Sequence, residues 1–572
     1  MRNTHADTVA GRRLHWPRRP TLRLEALVLA IATFLVATAN VSWWQAVADG
    51  RSWRDAGSWG VAGACFIALV GIHFALLGVL ANRWIIKPLL TALVILSIGA
   101  AYYMRTYALI MDPSMIQNVL RTDMNEAREF LEWRMVVSVT LWSALPVAFI
   151  WWVRIVRVPW LRATIVRVAS VTGALVLSLL ATLAVSRDLT SFMRNNREAR
   201  YLITPANIFY GLASSSVATA KDLNVVREKI GLDAAVIHVA RAARPRVLVL
   251  VIGETARAAN FSLLGYTRET NPELARLGVV SFSDVTSCGT STEISVPCMF
   301  SRQGRAEYDQ HRIRNSEGLL DVLARAGYRV KWIDNQSGCK GVCKGVEYSK
   351  VDPARYPDLC DEGECLDGVL VRQAEEELQA IEQDTVLVLH MLGNHGPAYY
   401  RRYPPEFRRF LPDCATAQLR DCTRAQVVNS YDNAILYTDH VLAGVIQALS
   451  RRGGRLAGAM IYVSDHGESL GENGLYLHGL PNAIAPTQQT HVPLLMWLSP
   501  NLTRNADVSA RCLQGRAADA WSHDNLFHSV LGLMNVRTGI YRADRDIFDG
   551  CRGGTFAVQR RLAGDTVEAS HN

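Results

Sequence analysis

Five apolar stretches in the first third of the chain restrict its fold more than any other feature. They run roughly over residues 24–44, 60–81, 85–103, 136–157 and 163–186. Each is near the ~20 residues an α-helix needs to cross a bilayer core. Five buried helices of a soluble bundle are the alternative, and runs this apolar argue against it. The first is not a cleaved signal peptide, because it lacks a small-residue cleavage site and four more spans follow. Basic residues cluster at alternate ends of the runs. Arg2, Arg12, Arg13, Arg18, Arg19 and Arg23 precede the first span against one acid, Asp7. Arg83 and Lys87 follow the second, and Arg154, Arg157, Arg162 and Arg167 lie between the fourth and fifth. Basic flanks stay inside, so segments 45–59 and 104–135 and everything after the fifth span are expected outside. The net charge of +9 is therefore read as membrane topology, not as a nucleic-acid-binding surface.

Cysteine usage gives an independent indication of the compartment. Of 11 cysteines, Cys65 lies in an apolar run and ten lie in the soluble part. No C-x-x-C pair suggests a zinc ribbon, whereas an even number at close spacings suggests disulfides in an oxidising space. Proximity pairs Cys288 with Cys298, Cys339 with Cys343, Cys360 with Cys365 and Cys414 with Cys422, leaving Cys512 for Cys551. A multi-pass protein of a bacterial inner membrane, with its soluble domain in the periplasm, is the expectation.

The domains expected are a cytoplasmic N-terminus (1–23), a five-helix transmembrane domain (24–186), an interfacial connection (187–244), a catalytic domain (245–560) and a flexible tail (561–572). Within the outward loop 104–135, Asn118, Thr122 and Glu126 are four apart and would share one face of a helix. From Arg246 the pattern changes. Apolar runs at Val247–Ile252, Val330–Ile333, Val386–Leu389, Met460–Val463 and Leu494–Trp497 read as buried strands. Helical segments alternate with them, as in Glu317–Ala326, Val369–Ile381 and Tyr431–Leu449. The alternation predicts an α/β domain with a mainly parallel central sheet, whose ligands bind beyond the carboxyl ends of the strands.

Three of these strands run into residues suited to metal chemistry. The first meets Gly253-Glu254-Thr255. Another meets His390 and then Asn394-His395-Gly396, and a third meets Ser464-Asp465-His466-Gly467-Glu468, with His478 following. Carboxylates and imidazoles converging from different strands suit a divalent ion, and three protein ligands with an open position suit a catalytic zinc. A loop bounded by cysteines, Cys288-Gly-Thr-Ser-Thr292-Glu293, offers hydroxyls at Thr290, Ser291 and Thr292. A metal would favour the alkoxide of one of them. Lys340, between Cys339 and Cys343, offers a cation to a phosphate.

Taken together, Val251-Ile-Gly-Glu-Thr-Ala-Arg257, Cys288-Gly-Thr-Ser-Thr292 with Ser295-Val-Pro-Cys-Met-Phe-Ser301, Asn394-His-Gly-Pro-Ala-Tyr-Tyr400 and Ser464-Asp-His-Gly-Glu-Ser-Leu-Gly-Glu-Asn473 resemble the phosphoethanolamine transferases that modify lipid A. That family includes the mobile colistin-resistance enzymes, and its catalytic domain is of the alkaline phosphatase and sulfatase type. The resemblance implies Thr292 as nucleophile and one tight zinc held by Glu254, Thr292, Asp465 and His466. It puts His395 and His478 at the transferred phosphate, in proton transfer or at a second, weaker zinc. Asn118, Thr122, Glu126, Gln336, Lys340 and Glu468 complete the implied substrate-binding set. The implied donor is phosphatidylethanolamine and the implied acceptor a phosphate of lipid A, with lower surface negative charge and polymyxin resistance as the consequence. A monomer is expected. Lipopolysaccharide core or periplasmic glucan as acceptor, and a membrane-anchored phosphodiesterase or sulfatase-like hydrolase, are the alternatives. Glu293 departs from the small residue usual after the nucleophile. Its carboxylate would face the metal, the solvent or the donor amine.

Overall fold

The computed structural model describes residues 19–49, 51–122, 124–222, 226–237, 244–506 and 508–552, without the side chains of 125, 126, 195, 197, 217–222 and 505. The N-terminal arginines up to Arg18, the tail 561–572 and the Glu126 side chain lie outside the described residues. The chain forms two compact units. One holds the residues up to Tyr102 together with Arg134–Ala206, and the other holds Tyr103–Trp133 and everything from Asn207.

In the first unit, Ala56–Leu80, Ile86–Tyr107, Trp133–Trp152 and Trp160–Ala184 are long and apolar enough to cross a membrane. The stretch expected as a first straight span is instead two helices, Leu24–Thr38 and Val41–Ala48, bent by 55°. Among the described residues the count is thus four spans, or five if the bent pair is one. Asn40 sits at the bend. Its amide donates to the Leu35 and Thr204 carbonyls at 2.9 Å each and its oxygen accepts from Thr204 N at 2.7 Å. A side chain inserted into the helical ladder is an ordinary cause of a kink. His73 bonds the same Thr204 carbonyl at 3.0 Å. Buried polar residues thus knit helices whose apolar faces point outward, as Leu145 and Val79 do.

The second unit is built on a seven-stranded sheet. In chain order its strands are β1 (Arg246–Gly253), β2 (Val280–Phe282), β3 (Arg329–Asp334), β4 (Glu347–Lys350), β5 (Thr385–His390), β6 (Ala457–Ser464) and β7 (Leu494–Leu498). The order across the sheet is β2-β7-β6-β1-β5-β3-β4. β1 pairs in parallel with β5 and β6, as β3 does with β5 and β4, whereas β7 is antiparallel to β6 and β2. The sheet is therefore mixed. Each residue of β1 is buried. Leu248, Leu250 and Ile252 enter one core layer and Val247, Val249 and Val251 the other, as the two-residue period of a strand covered on both faces requires. The longest helix here, Arg424–Arg451, starts from a capping box of Thr423 and Gln426 and packs on the second layer.

Strand register positions the site. Ile252 lies opposite His390, which lies opposite Asp334, and Gly253 lies opposite Ser464. The carboxyl ends of β1, β3, β5 and β6 therefore finish in adjacent rows, and Glu254 and Asp465 both emerge just beyond them.

Candidate active site

Glu254, Asp465 and His466 converge at these strand ends. One ligand atom from each lies within 4.8 Å of the others, and all three side chains are fully buried. His466 Nε2 is 3.3 Å from Glu254 Oε1 and 3.4 Å from Asp465 Oδ2. Backbone groups hold the carboxylates: Asp465 Oδ1 accepts from Thr255 N at 3.2 Å and His466 N at 2.7 Å. Thr255 adopts a left-handed φ of 58°, a strained conformation for a β-branched residue. Its hydroxyl donates to Glu254 Oε1 at 2.6 Å. Asn394 N donates to the Glu254 carbonyl at 3.0 Å. Gly393, at φ 58°, lies so close that an added Cβ would come within 2.6 Å of that carbonyl oxygen.

The electrostatics of this cluster call for a cation. Burial, and then the Glu254 charge, pushes the Asp465 carboxyl up to about 7. Burial alone would lower His466, but the Asp465 and Glu254 carboxylates overcome it and push the imidazole up to about 10. Burial opposes ionisation of Glu254 as well. The hydrogen bond and charge of His466, with the charges of His395 and His478, nevertheless hold it well below the usual carboxylate range. Asp465 Oδ2 is buried without a hydrogen-bond partner. Two carboxylates, one of them with an orphan oxygen, and an imidazole form a donor set that fits a zinc-like divalent ion.

The hydroxyl loop closes on this cluster. Thr292 opens the helix Thr292–Met299. Its Oγ1 donates to Glu254 Oε2 at 2.9 Å and lies 3.4 Å from His466 Nε2. Neither neighbouring hydroxyl makes a hydrogen bond to the cluster: Thr290 donates to the Leu480 carbonyl at 2.6 Å, and Ser291 Oγ is buried without a partner. The Cys288–Cys298 disulfide ties the ends of the loop. The other disulfides are Cys339–Cys343, Cys360–Cys365, Cys414–Cys422 and Cys512–Cys551, and Cys65 is free.

Thr292 faces a pocket of about 270 Å³. Of the residues singled out in the sequence, Asn118, Thr122, Gln336, Lys340, His395 and His478 also line it. Gln336 donates to Glu254 Oε2 at 2.8 Å, and Lys340 Nζ to Ser337 Oγ at 2.6 Å. The ring centres of His395 and His478 are 5.7 Å apart, and those of His466 and His478 4.4 Å. Glu468 is not on the wall. It is fully buried behind His478, with a carboxylate oxygen 3.4 Å from Nδ1. The single helix expected through Asn118, Thr122 and Glu126 is broken. Pro113–Arg121 starts at the Asp112 cap and ends at Thr122, whose backbone is extended (ψ 130°). A separate helix, Met124–Phe130, follows. Asn118 and Thr122 still reach the pocket, because the Thr122 hydroxyl folds back onto the Asn118 carbonyl at 2.8 Å.

Glu293 does not turn to solvent. Its side chain is 4% exposed, and one of its oxygens accepts from both Arg121 and Arg314. Neither arginine stood out in the sequence, since each belongs to an ordinary basic helix end. His523 was equally hidden. Its Nδ1 accepts from Cys288 N at 3.1 Å and its Nε2 donates to the Ser464 carbonyl at 2.9 Å. Burial, aided by the His466 charge, drives it down to about 4. The neutral ring thus pins the hydroxyl loop to the end of β6. Its only sequence signal is a histidine in Ser522-His-Asp524, too common a pattern to identify it.

A hydroxyl bonded to a carboxylate, beside a buried N/O ligand set and facing a pocket with two imidazoles and a lysine, is equipped for nucleophilic phosphoryl chemistry. Known proteins share this organisation. Residues 246–536 match the Sulfatase family, and residues 69–220 match the family described as phosphoethanolamine transferase EptA/EptB. Phosphoethanolamine transferase EptA of Escherichia coli (strain K12) is 37% identical over 546 residues, 94% of this chain and 98% of the relative. Phosphatidylethanolamine transferase Mcr-1 of Escherichia coli is 36% identical over 493 residues, 84% of this chain and 91% of the relative. The integral membrane protein lipooligosaccharide phosphoethanolamine transferase A (EptA) from Neisseria meningitidis has a TM-score of 0.88 at 36% identity, covering 93% of this chain and 100% of that one. Matches of this extent make the chain a member of the phosphoethanolamine transferase family, with an N-terminal helical membrane region and a sulfatase-like α/β domain.

Proposed function

We propose that this protein transfers phosphoethanolamine from phosphatidylethanolamine to a phosphate of lipid A, with Thr292 carrying the group between them. The observation that carries the reading is the Thr292 hydroxyl, held 2.9 Å from Glu254 in the wall of a pocket. Glu254, Thr292, Asp465 and His466 would hold a zinc ion. When bound, it supplies Lewis-acid stabilisation of charge on oxygen. The residues of the chain do the rest. Glu254 and His466 orient Oγ1 toward the pocket. Lys340 stands at the wall where a phosphoryl oxygen needs a cation, and His395 and His478 flank the departing alkoxide as proton donors. Asn118 and Thr122 offer polar contacts to a headgroup, while Met111, Met115, Val119 and Phe130 suit the apolar part of a lipid.

Attack of Oγ1 on the donor phosphorus forms the P–Oγ1 bond and breaks the bond to diacylglycerol, whose oxygen takes up a proton. A lipid A phosphate then displaces Thr292. The helices suited to a bilayer, the basic flanks and the five disulfides favour the inner membrane with the catalytic unit in the periplasm. The added amine lowers surface negative charge, so cationic peptides such as polymyxin should bind less. Mass spectrometry of lipid A from cells with and without the protein tests the reading. Added phosphoethanolamine is expected, and unmodified lipid A would remove lipid A as the acceptor.

A further inference from the structure

Beside the Thr292 pocket lies a second one, of about 530 Å³. The two share Arg121, Glu293, Ser337 and Lys340. Otherwise their linings differ in kind. The first pocket has mostly apolar walls. The second adds Arg227, Arg314 and Lys344 to the shared Arg121 and Lys340, against the acids Glu293, Glu317 and Asp321. Those acids do not neutralise it. Glu317 pairs with Arg325, which is not part of the lining, and Asp321 pairs with Arg227. Glu293 alone serves both Arg121 and Arg314, leaving that trio net positive. Neither Lys340 nor Lys344 has an acidic partner among the described residues.

We propose that this second pocket receives the acceptor's phosphate monoester, carried on a sugar headgroup. The inference rests on the transfer reading above and adds where the second substrate binds. The pockets meet at Glu293, which follows Thr292 directly in the chain, so a ligand of the second pocket lies beside the reacting residue. Charge separates the two substrates. A zwitterionic donor headgroup gains little from a net-positive pocket, whereas a phosphate monoester near two negative charges gains much. In the second half-reaction, an oxygen of that phosphate bonds to the phosphorus carried by Thr292. The P–Oγ1 bond breaks, and Oγ1 regains a proton from water. Glu293 holds Arg121 of the shared wall and Arg314 of the second pocket, where the incoming phosphate can take its place between them.

The test uses the full chain in mixed micelles of phosphatidylethanolamine with and without lipid A. Lys344 lines the second pocket and not the first. In Lys344→Glu, single-turnover release of diacylglycerol without acceptor is expected to stay within about twofold of the parent. The KM for lipid A is expected to rise ~10-fold or more. Lys344→Gln, which adds no charge, should show a smaller rise and guards against misfolding of the first variant. In the parent protein, glucosamine 1-phosphate should compete with lipid A, and inorganic phosphate at equal concentration should compete more weakly. An unchanged KM for lipid A in both variants, with diacylglycerol release intact, overturns the proposal. Equal inhibition by the two phosphates overturns its sugar-phosphate part. A parent protein that releases no diacylglycerol overturns the transfer reading itself.

Discussion

The two walls of the Thr292 pocket are built in different ways. One comes from the strand ends: Glu254 and Asp465 follow rows that the register of β1 and β6 aligns, and His466 and Thr292 sit against them. It is buried, and backbone hydrogen bonds from Thr255 and His466 hold the Asp465 carboxylate. The other comes from the segment Tyr103–Trp133, which is interposed between two apolar helices in the sequence. That wall is mostly apolar and more exposed, with Val119 58% exposed. Side-chain ties hold it to the sheet domain: Arg402 to Glu129 at 2.6 Å, Gln310 to Gln117 at 3.0 Å, and Arg121 to Glu293. Chemistry needs a wall whose atoms do not shift. On the proposed reading the second wall recognises a lipid, which tolerates a surface that adapts.

Substitutions on the two walls should therefore fail differently. Thr292→Ala should lower transfer by ~10⁴-fold or more, since neither neighbouring hydroxyl, Thr290 nor Ser291, makes a hydrogen bond to the cluster. Its unfolding temperature should barely move, because only a small side chain is lost. Near-normal turnover would dissolve the distinction between the walls. Asp465→Asn should weaken zinc binding by ~10³-fold, read by metal analysis after dialysis. Retained zinc would place the metal elsewhere.

On the recognition wall, Arg402→Ala leaves Glu129 buried without its partner. Both side chains are 2% exposed, so stability should fall by about 3 kcal/mol, measured as the thermal midpoint of the detergent-solubilised chain. An unaltered midpoint would show that other ties suffice. A pH titration separates the walls further. Without metal, Asp465 is pushed up to about 7 and His466 to about 10. Zinc must displace their protons, so apparent affinity should rise with pH. The slope should be near ~10-fold per unit above neutrality, where His466 alone is protonated, and steeper below it. A flat profile from pH 6 to 9 would contradict these protonation states. The smallest effect belongs to Asn118→Ala, with a ~5-fold higher KM for phosphatidylethanolamine and an unchanged kcat, the size of one lost hydrogen bond. A fall in kcat alone would move Asn118 to the chemical wall.

The difference between the walls also marks what could be read in advance. Glu254, Asp465 and His466 were legible because each follows an apolar run, and strands buried in one sheet must end along one edge. The recognition segment was legible only in part. Asn118 and Thr122 came from the family resemblance, and the helical spacing they share is one the chain breaks at Thr122. Glu468 stands in the same motif as Asp465 yet turns behind His478, since a tight turn after a strand sends neighbouring side chains in different directions.

By itself the sequence determined where the apolar helices and strands run, which cysteines are near enough to pair, and which carboxylates, imidazoles and hydroxyls follow the buried strands. These depend on local period and composition. Only the tertiary structure decided that Glu293 joins Arg121 and Arg314, that Asn40 bends the first helix against Thr204, and that His523 braces the Thr292 loop. Each is a pairing of polar groups remote in the chain. Among many arginines, histidines and carbonyls of similar chemistry, packing alone selects which two are buried together.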